Sequence, residues 1–480
     1  MSSLSKSYFS DDNIFALASP LGGAICILRI SGFGLKKILK SLGVTPAIGH
    51  GLEVRKMLRV KLVSPVSASP IDDAMITYFE NPRSYTGEEV VEFFLHGSVA
   101  IAGELMESLR FLGCRQALPG EFSFRAVRNG KLTVTQAQAV AELIAAKNTE
   151  AVTIAIEKLE GTQQKFVAEI AEELRNLAVF GELAIDFSDQ DVPEVSLPRL
   201  KKRLEVLLEK MTRLKSSFAR GRFIQDGVRV AILGLPNAGK SSFFNQIIGE
   251  DRSIVSVQPG TTRDVIRETL TLKGSEGKSV TLRIEDTAGV RDAIDEVEKI
   301  GVERSLKAAK DADIVILLKE SHKSSGVENA SDWKEFKIKL HQAIPLTALN
   351  TSGNLLLVST KMDLYENGGA ENLQGMEEFN HRFRVSNLTG EGIQSVIHRL
   401  VELSLKKMER EIGEVILTRL DHYESVVSTI EHIDRALGAP AEDLFAADIR
   451  HALMSLGPVI GDTLPDDILG KIFSEFCIGK

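Results

Sequence analysis

Apolar positions along this chain fall into three regimes of spacing. Up to about residue 125, short apolar runs alternate with polar turns. Gly23 to Gly32 reads as a strand closed by a turn, and 74–79 and 90–95 read as two more, separated by the polar turn Asn81 to Gly87. Residues 101–112 carry helical spacing. From about Leu132 the character changes. Residues 133–159 are rich in alanine and glutamine with no proline, which favours helix. Phe166, Ile170, Leu174, Leu177, Phe180 and Ala184 then recur at helical intervals, as do Leu200, Leu204, Leu207, Met211, Leu214 and Phe218, with a loop at Asp186–Pro198 carrying Pro193 and Pro198.

In the third regime, apolar strands at 228–233, 279–285, 314–318 and 355–359 alternate with helical patterns, as a parallel sheet with crossover helices requires. The polar stretch 320–353 around Trp333 reads as a long loop plus a short helix. Helical spacing resumes after Gly392, first at Ile393, Val396, Ile397, Leu400 and Val401, then over 417–437 and 444–456. The expected fold class is multidomain, part α/β and part all-α. One helical domain has its sequence split by an inserted α/β unit, with boundaries at 1–127, 128–224, 225–393 and 394–480.

Composition narrows the class without changing that outline. At 480 residues the chain is too long for one compact core, and its 43% hydrophobic and 26% charged content is ordinary for a soluble protein. A formal net charge of −8 argues against indiscriminate nucleic-acid binding. Cys26, Cys114 and Cys477 are odd in number and far apart, so no disulfide framework is expected. With no secretory or membrane-spanning pattern, a cytoplasmic location is expected.

The chemistry is carried by the inserted unit. Gly234-Leu235-Pro236-Asn237-Ala238-Gly239-Lys240-Ser241 fits G-x-x-x-x-G-K-[ST], between an apolar strand and the opening of a helix. Backbone N–H groups of such a turn and of the helix N-terminus face phosphate, Lys240 adds positive charge, and the Ser241 hydroxyl can ligate magnesium. Asp286-Thr287-Ala288-Gly289 ends a strand, where an acidic residue reaches magnesium and a glycine N–H meets the γ-phosphate. Gly260-Thr261-Thr262-Arg263-Asp264 lies where a switch threonine must close over magnesium. Thr360-Lys361-Met362-Asp363 fits the guanine-reading [NT]-K-x-D pattern. Asp363 would accept both N1–H and N2–H of guanine, a pair that adenine cannot supply, so GTP is expected over ATP.

Val290 stands where Ras-like proteins carry a water-orienting glutamine, so another group must supply that function. Asn237 offers an oxygen to a monovalent cation, and the run Asp292, Asp295, Glu296 and Glu298 offers carboxylates. Residues 199–222 carry nine basic side chains against Glu205 and Glu209, a face for phosphate backbone or simply for solvent. One alternative reading takes this basic helix as the contact of a switch that docks on ribosomal RNA during assembly without modifying it.

Leu28 to Gly32, Arg83 to Glu88, Pro119 to Phe122, Asn129 to Leu132, the nucleotide motifs, Asp286 to Arg291 and the terminal Phe476 to Lys480 together closely resemble the MnmE (TrmE) family of tRNA-modification GTPases, over essentially the whole length. The resemblance implies an N-terminal α/β domain that binds a tetrahydrofolate derivative (5,10-methylene or 5-formyl) and dimerises, a helical domain, and an inserted Ras-like GTPase domain. It also implies a homodimer that forms a heterotetramer with an MnmG (GidA)-like flavoprotein, which alone carries FAD. Together they act at carbon 5 of the tRNA wobble uridine. By this resemblance folate contacts fall on Arg29, Glu92, Lys131 and Lys480. Catalytic roles fall on Lys240, Glu298 as the water-orienting carboxylate, and Cys477. Magnesium falls to Ser241 and Thr262, and potassium to Asn237, Ser256, Gln258 and Thr261.

The nucleotide contacts so implied are Asn237, Ala238, Gly239, Lys240, Ser241 and Ser242, then Ser256, Val257, Gln258, Pro259, Gly260, Thr261 and Thr262. They continue at Asp286, Thr287, Ala288 and Gly289, at Thr360, Lys361, Met362 and Asp363, and at Ser386, Asn387 and Leu388. Some positions depart from the family's usual pattern. Leu21-Gly22-Gly23-Ala24 lacks its arginine, Thr360 stands for asparagine, Asn387 for alanine, and Thr418 to His422 differs from the usual Thr-Asn-x-Arg-His.

Overall fold

The structure, a computed structural model, describes residues 8–44, 53–186, 196–235, 237–250, 266–274, 277–286, 308–321, 327–344, 346–364, 379–461, 472–474, 476 and 479. Two compact units divide the chain. One comprises Met1–Ile144, Ala155–Glu205 and Ser428–Lys480, the other Ala145–Ile154 and Val206–Val427.

The first unit holds a six-stranded sheet of β1 (Ile14–Leu17), β2 (Ile25–Gly32), β3 (Met57–Val63), β4 (Pro70–Phe79), β5 (Glu89–His96) and β6 (Arg115–Gln116), in the order β3-β4-β5-β2-β1-β6. All pairs are antiparallel except β1 with β6. Period-two alternation sorts its faces. Cys26, Leu28 and Ile30 stand opposite Leu95, Phe93 and Val91, and these six are buried with Leu35, Leu39, Leu105 and Leu109 of the Leu35–Ser41 and Val99–Phe111 helices. The other face carries Arg29 opposite Glu92, with Thr77 of β4 next across the sheet. In the same unit the Thr162–Asp186 and Glu442–Ile460 helices pack closely at Gly181, where a Cβ would lie 3.1 Å from that of Ala446.

The second unit holds β7 (Val228–Gly234), β8 (Ile266–Lys273), β9 (Ser279–Asp286), β10 (Ile314–Glu320), β11 (Leu355–Thr360) and β12 (His381–Arg384), in the order β12-β11-β10-β7-β9-β8, parallel except for β8 against β9. Val228, Val230 and Ile232 enter one core and Ala231 and Leu233 the other, so β7 is buried on both faces and reads as a continuous apolar run from Val230.

Three expectations change. The predicted helical stretch 133–159 is two helices, Val134–Ala145 and Thr149–Leu159. Asn148 caps the second, accepting from Ala151 N–H at 2.8 Å, while its Nδ2 donates to the Ile224 carbonyl at 2.7 Å. The stretch 320–353 is mostly helical, with Val327–Ala343 and Leu346–Thr351, because Trp333, Phe336 and Leu340 at helical spacing bury against the sheet. Finally, the sheets hold five strands beyond those expected: β1 is an apolar run of only four residues, β6 has two residues, and β3, β8 and β12 interleave charged or polar side chains.

Candidate functional sites

The nucleotide motifs gather at the carboxyl ends of the parallel strands, where open α/β sheets bind ligands. β7 ends at Gly234, and the loop turns into the Lys240–Glu250 helix. Asn237 and Gly239 take positive φ, 63° and 82°, conformations that turn the backbone sharply enough to present successive amides. The Lys240 ammonium donates to the carbonyls of Gly234 at 3.0 Å and Leu235 at 2.9 Å, so its charge lies across the loop. Ser241 and Ser242 are exposed at the helix N-terminus. Asp286 ends β9 in register with Ile232 of β7, which puts its backbone beside the loop.

β11 ends at Thr360, a buried residue whose Oγ1 donates to the Ala238 carbonyl at 2.9 Å. Lys361, with a φ of 62°, places its ammonium 2.7 Å from Glu320. The Ser386 hydroxyl donates to Asp363 Oδ1 at 2.6 Å and itself accepts from the N–H groups of Leu388 and Thr389. The carboxylate of the exposed Asp363 is thereby held in one orientation. Asn387 Nδ2 donates to the Gly239 carbonyl at 3.1 Å. Thus Asn237 to Ser242, Thr360 to Asp363 and Ser386 to Leu388 are brought together. Ser256 to Thr262, Thr287 to Gly289 and Glu298 lie outside the described residues.

On the polar face of the first sheet, Arg29 Nε and Nη2 donate to Glu92 Oε1 at 2.9 and 2.7 Å. Its guanidinium carbon lies 5.7 Å from the Tyr85 ring centroid and 5.8 Å from that of Phe122. Burial pushes the Tyr85 hydroxyl above its ordinary pKa, so it stays a neutral donor or acceptor beside Ser123 Oγ, 2.8 Å away. The pair and its aromatic flanks make a half-buried site with a cation, a carboxylate and flat apolar surfaces, suited to a planar polar ligand.

Beneath it lies a network that the sequence does not announce. Glu88 Oε2 accepts from Ser31 Oγ at 2.8 Å and from Arg125 Nη1 at 2.9 Å, and Arg125 Nη2 reaches Glu121 at 3.0 Å. Arg125, Glu88 and Glu121 are all buried. Asn129 Nδ2 donates to the Thr86 carbonyl at 2.7 Å, and Lys131, exposed, runs past Gly87. Four separated motifs are thereby tied into one scaffold. The chain terminus joins it: a Cβ on Gly120 would lie 2.7 Å from the Phe473 carbonyl, and one on Gly479 would lie 2.1 Å from that of Leu17. Cys477 and Lys480 lie outside the described residues, although their neighbours Phe476 and Gly479 are placed. Burial pushes the Cys114 thiol up to about 11 and raises that of Cys26, so neither is a nucleophile near neutral pH.

Two family models match consecutive parts of the chain, one described as GTP-binding protein TrmE N-terminus over residues 13–131 and one as MnmE helical domain over 134–477. The tRNA modification GTPase MnmE of Natranaerobius thermophilus is 32% identical over 476 residues, covering 98% of this chain and 100% of that one. Those of Aquifex aeolicus and Dichelobacter nodosus are each 34% identical, over 97% and 98% of this chain and 99% and 100% of theirs. The chain belongs to the MnmE (TrmE) family.

Membership in the MnmE family covers both sites, since the relatives align over 97–98% of this chain. The basic helix Leu197–Asp226 reads differently in the structure. Arg203 pairs with Glu173, Arg213 with Glu209, Arg220 with Glu414 and Arg222 with Asp313, while Lys201 donates to the Ala439 carbonyl. Much of its charge is internally engaged, so no observation favours the ribosomal-RNA docking reading. His432, Asp448 and His451 form the one group of three metal-type side chains within reach of each other among the described residues, but the Arg435 guanidinium lies 2.7 Å from His432 and opposes a cation there. No described helix is long and apolar enough to cross a membrane.

Proposed function

We propose that this chain is a tRNA-modification GTPase, potassium-stimulated and active as a homodimer. With a tetrahydrofolate one-carbon donor and an MnmG (GidA)-like flavoprotein, it installs the aminomethyl or carboxymethylaminomethyl group at carbon 5 of the wobble uridine. The division of labour is 1–127 for folate and dimerisation, 128–224 and 394–480 for the helical domain, and 225–393 for the GTPase, acting in the cytoplasm. The observation that carries this reading is the convergence of Lys240, Thr360, Asp363 and Ser386 on one loop end, in a chain whose whole length follows the family.

Each residue has a physical task. Asp363, fixed by Ser386, reads the N1–H and N2–H edge of guanine, and adenine would leave that carboxylate unpaired. Lys240, already turned over the loop, exchanges two carbonyls for phosphate oxygens. Ser241 and Thr262 would hold magnesium, which neutralises charge developing on the phosphates. Asn237, exposed on the loop, would hold potassium with Ser256, Gln258 and Thr261, and Glu298 orients the attacking water in place of Val290. Asp286 to Gly289 would sense the γ-phosphate. In the other unit Arg29, Glu92, Lys131 and Lys480 would hold the folate, and Cys477 would act on the carried carbon.

GTP turnover measured in potassium and in sodium tests the first half. Faster hydrolysis in potassium, abolished by Lys240→Ala, is expected, and equal rates in the two salts would contradict it. Mass spectrometry of tRNA nucleosides from a deletion strain tests the second. Loss of the modified uridine, restored by the wild-type chain but not by the Cys477→Ser variant, is expected.

A further inference from the structure

We propose that Asn387 is a positioning residue of the nucleotide site, whose side-chain amide locks the base-reading loop to the phosphate-binding loop and compensates for threonine at position 360. This deepens the GTPase reading and rests on it. The base-reading strand end and the phosphate loop are joined by two side-chain struts to successive carbonyls: Thr360 Oγ1 to Ala238 at 2.9 Å, and Asn387 Nδ2 to Gly239 at 3.1 Å. A hydroxyl has one proton, and Thr360 donates it to Ala238, so it has none left for a second acceptor. Asparagine at that position would bring two N–H groups. The second donor comes instead from Asn387, where the family usually has alanine and no side-chain donor at all.

Asn387 is held for this task from two directions. Its backbone carbonyl accepts from Gln246 Nε2 at 2.7 Å, anchoring the loop to the helix that follows the phosphate loop. Its amide rests directly on Gly239, where an added Cβ would lie 2.8 Å from Nδ2. The orientation of the amide is fixed as well. A flip would set two oxygens against each other at Gly239, and in the observed arrangement Oδ1 is buried with no partner among the described residues. The strut therefore sets the distance between the edge that reads guanine and the amides that grip phosphate. It acts on how long a nucleotide stays.

Stopped-flow dissociation of N-methylanthraniloyl-GDP from the full chain tests this. Asn387→Ala is expected to release the nucleotide about tenfold faster. Asn387→Asp keeps the shape but replaces the donor with a second acceptor facing Gly239, and is expected to be at least as fast. Thr360→Asn added to Asn387→Ala should restore dissociation to within about threefold of wild type. Unchanged release from Asn387→Ala, or a double variant as leaky as Asn387→Ala alone, would overturn the proposal while leaving the GTPase reading intact. A wild-type chain that fails to bind the nucleotide would instead overturn the GTPase reading beneath it.

Discussion

Single side chains show where burial sharpens chemistry. Arg125 is fully enclosed between Glu88 and Glu121, and it bridges the two buried carboxylates while Arg128 and Arg115 approach them from the other side of the network. Arg125→Leu should destabilise the first unit by more than about 2 kcal/mol, because it removes the buried cation that Glu88 and Glu121 share and leaves Arg128 and Arg115 as their remaining cationic partners. Urea unfolding followed by circular dichroism would read the loss, and a cost under about 1 kcal/mol would contradict it. His381 works in the opposite sense. Burial lowers its pKa below the ordinary value, and Arg399, whose Nη2 approaches His381 Nε2 at 2.8 Å, lowers it further. The ring stays neutral in the folded chain while the unfolded chain titrates near 6.5. Below that value the unfolded state binds the extra proton, so stability is lost as pH falls through about 6.5 and regained as it rises. His381→Gln, which keeps an acceptor for Arg399, should flatten that slope in urea midpoints taken between about pH 5 and 7.5.

At the scale of elements, glycine positions decide how the terminal segment meets the first sheet. Gly120 opens the Glu121–Arg128 helix with φ at 64° and leaves no room for a Cβ against Phe473 and Phe476. Phe473 in turn sits edge-on to Phe124, 5.6 Å between centroids, in a cluster with Tyr8. Gly120→Ala meets both objections at once, the left-handed backbone and the clash, so about 1–3 kcal/mol of docking should be lost. Limited proteolysis near the terminus should speed up in that variant, along with hydrogen exchange in 121–128. Folate affinity should fall with it if the terminal Cys477 and Lys480 serve that site. An unaltered cleavage rate would show that the segment is not held there.

Over the whole molecule, the chain leaves the first unit and returns to it twice, so the residues nearest the two ends of the sequence finish in one body. The consequence is that removing residues 472–480 should raise amide exchange in the Glu121–Arg128 helix and in β1, whose Leu17 carbonyl faces Gly479. Exchange in β7 and β10 should not change, since those strands belong to the other unit. Uniform loosening of both units would argue against this division.

The sequence alone determined the nucleotide chemistry and most of the strands that position it. Of those strands β10 and β11 spell apolar runs, β7 does so from Val230, β9 alternates apolar with polar residues, and a phosphate loop needs particular residues at fixed short spacing. It also specified the polar partners Arg29 and Glu92 as candidates, but their pairing depends on register across β2 and β5, which no local pattern encodes. The same holds for the Glu88–Arg125–Glu121 network, for Asn387 against Gly239, and for Gly479 against Leu17. Apart from Glu121 and Arg125, one turn apart on a single helix, these contacts join residues far apart in the chain, and hydrophobic periodicity carries no information about such distances. Tertiary structure decided those, because only folding brings remote backbone carbonyls and side-chain donors within about 3 Å of each other.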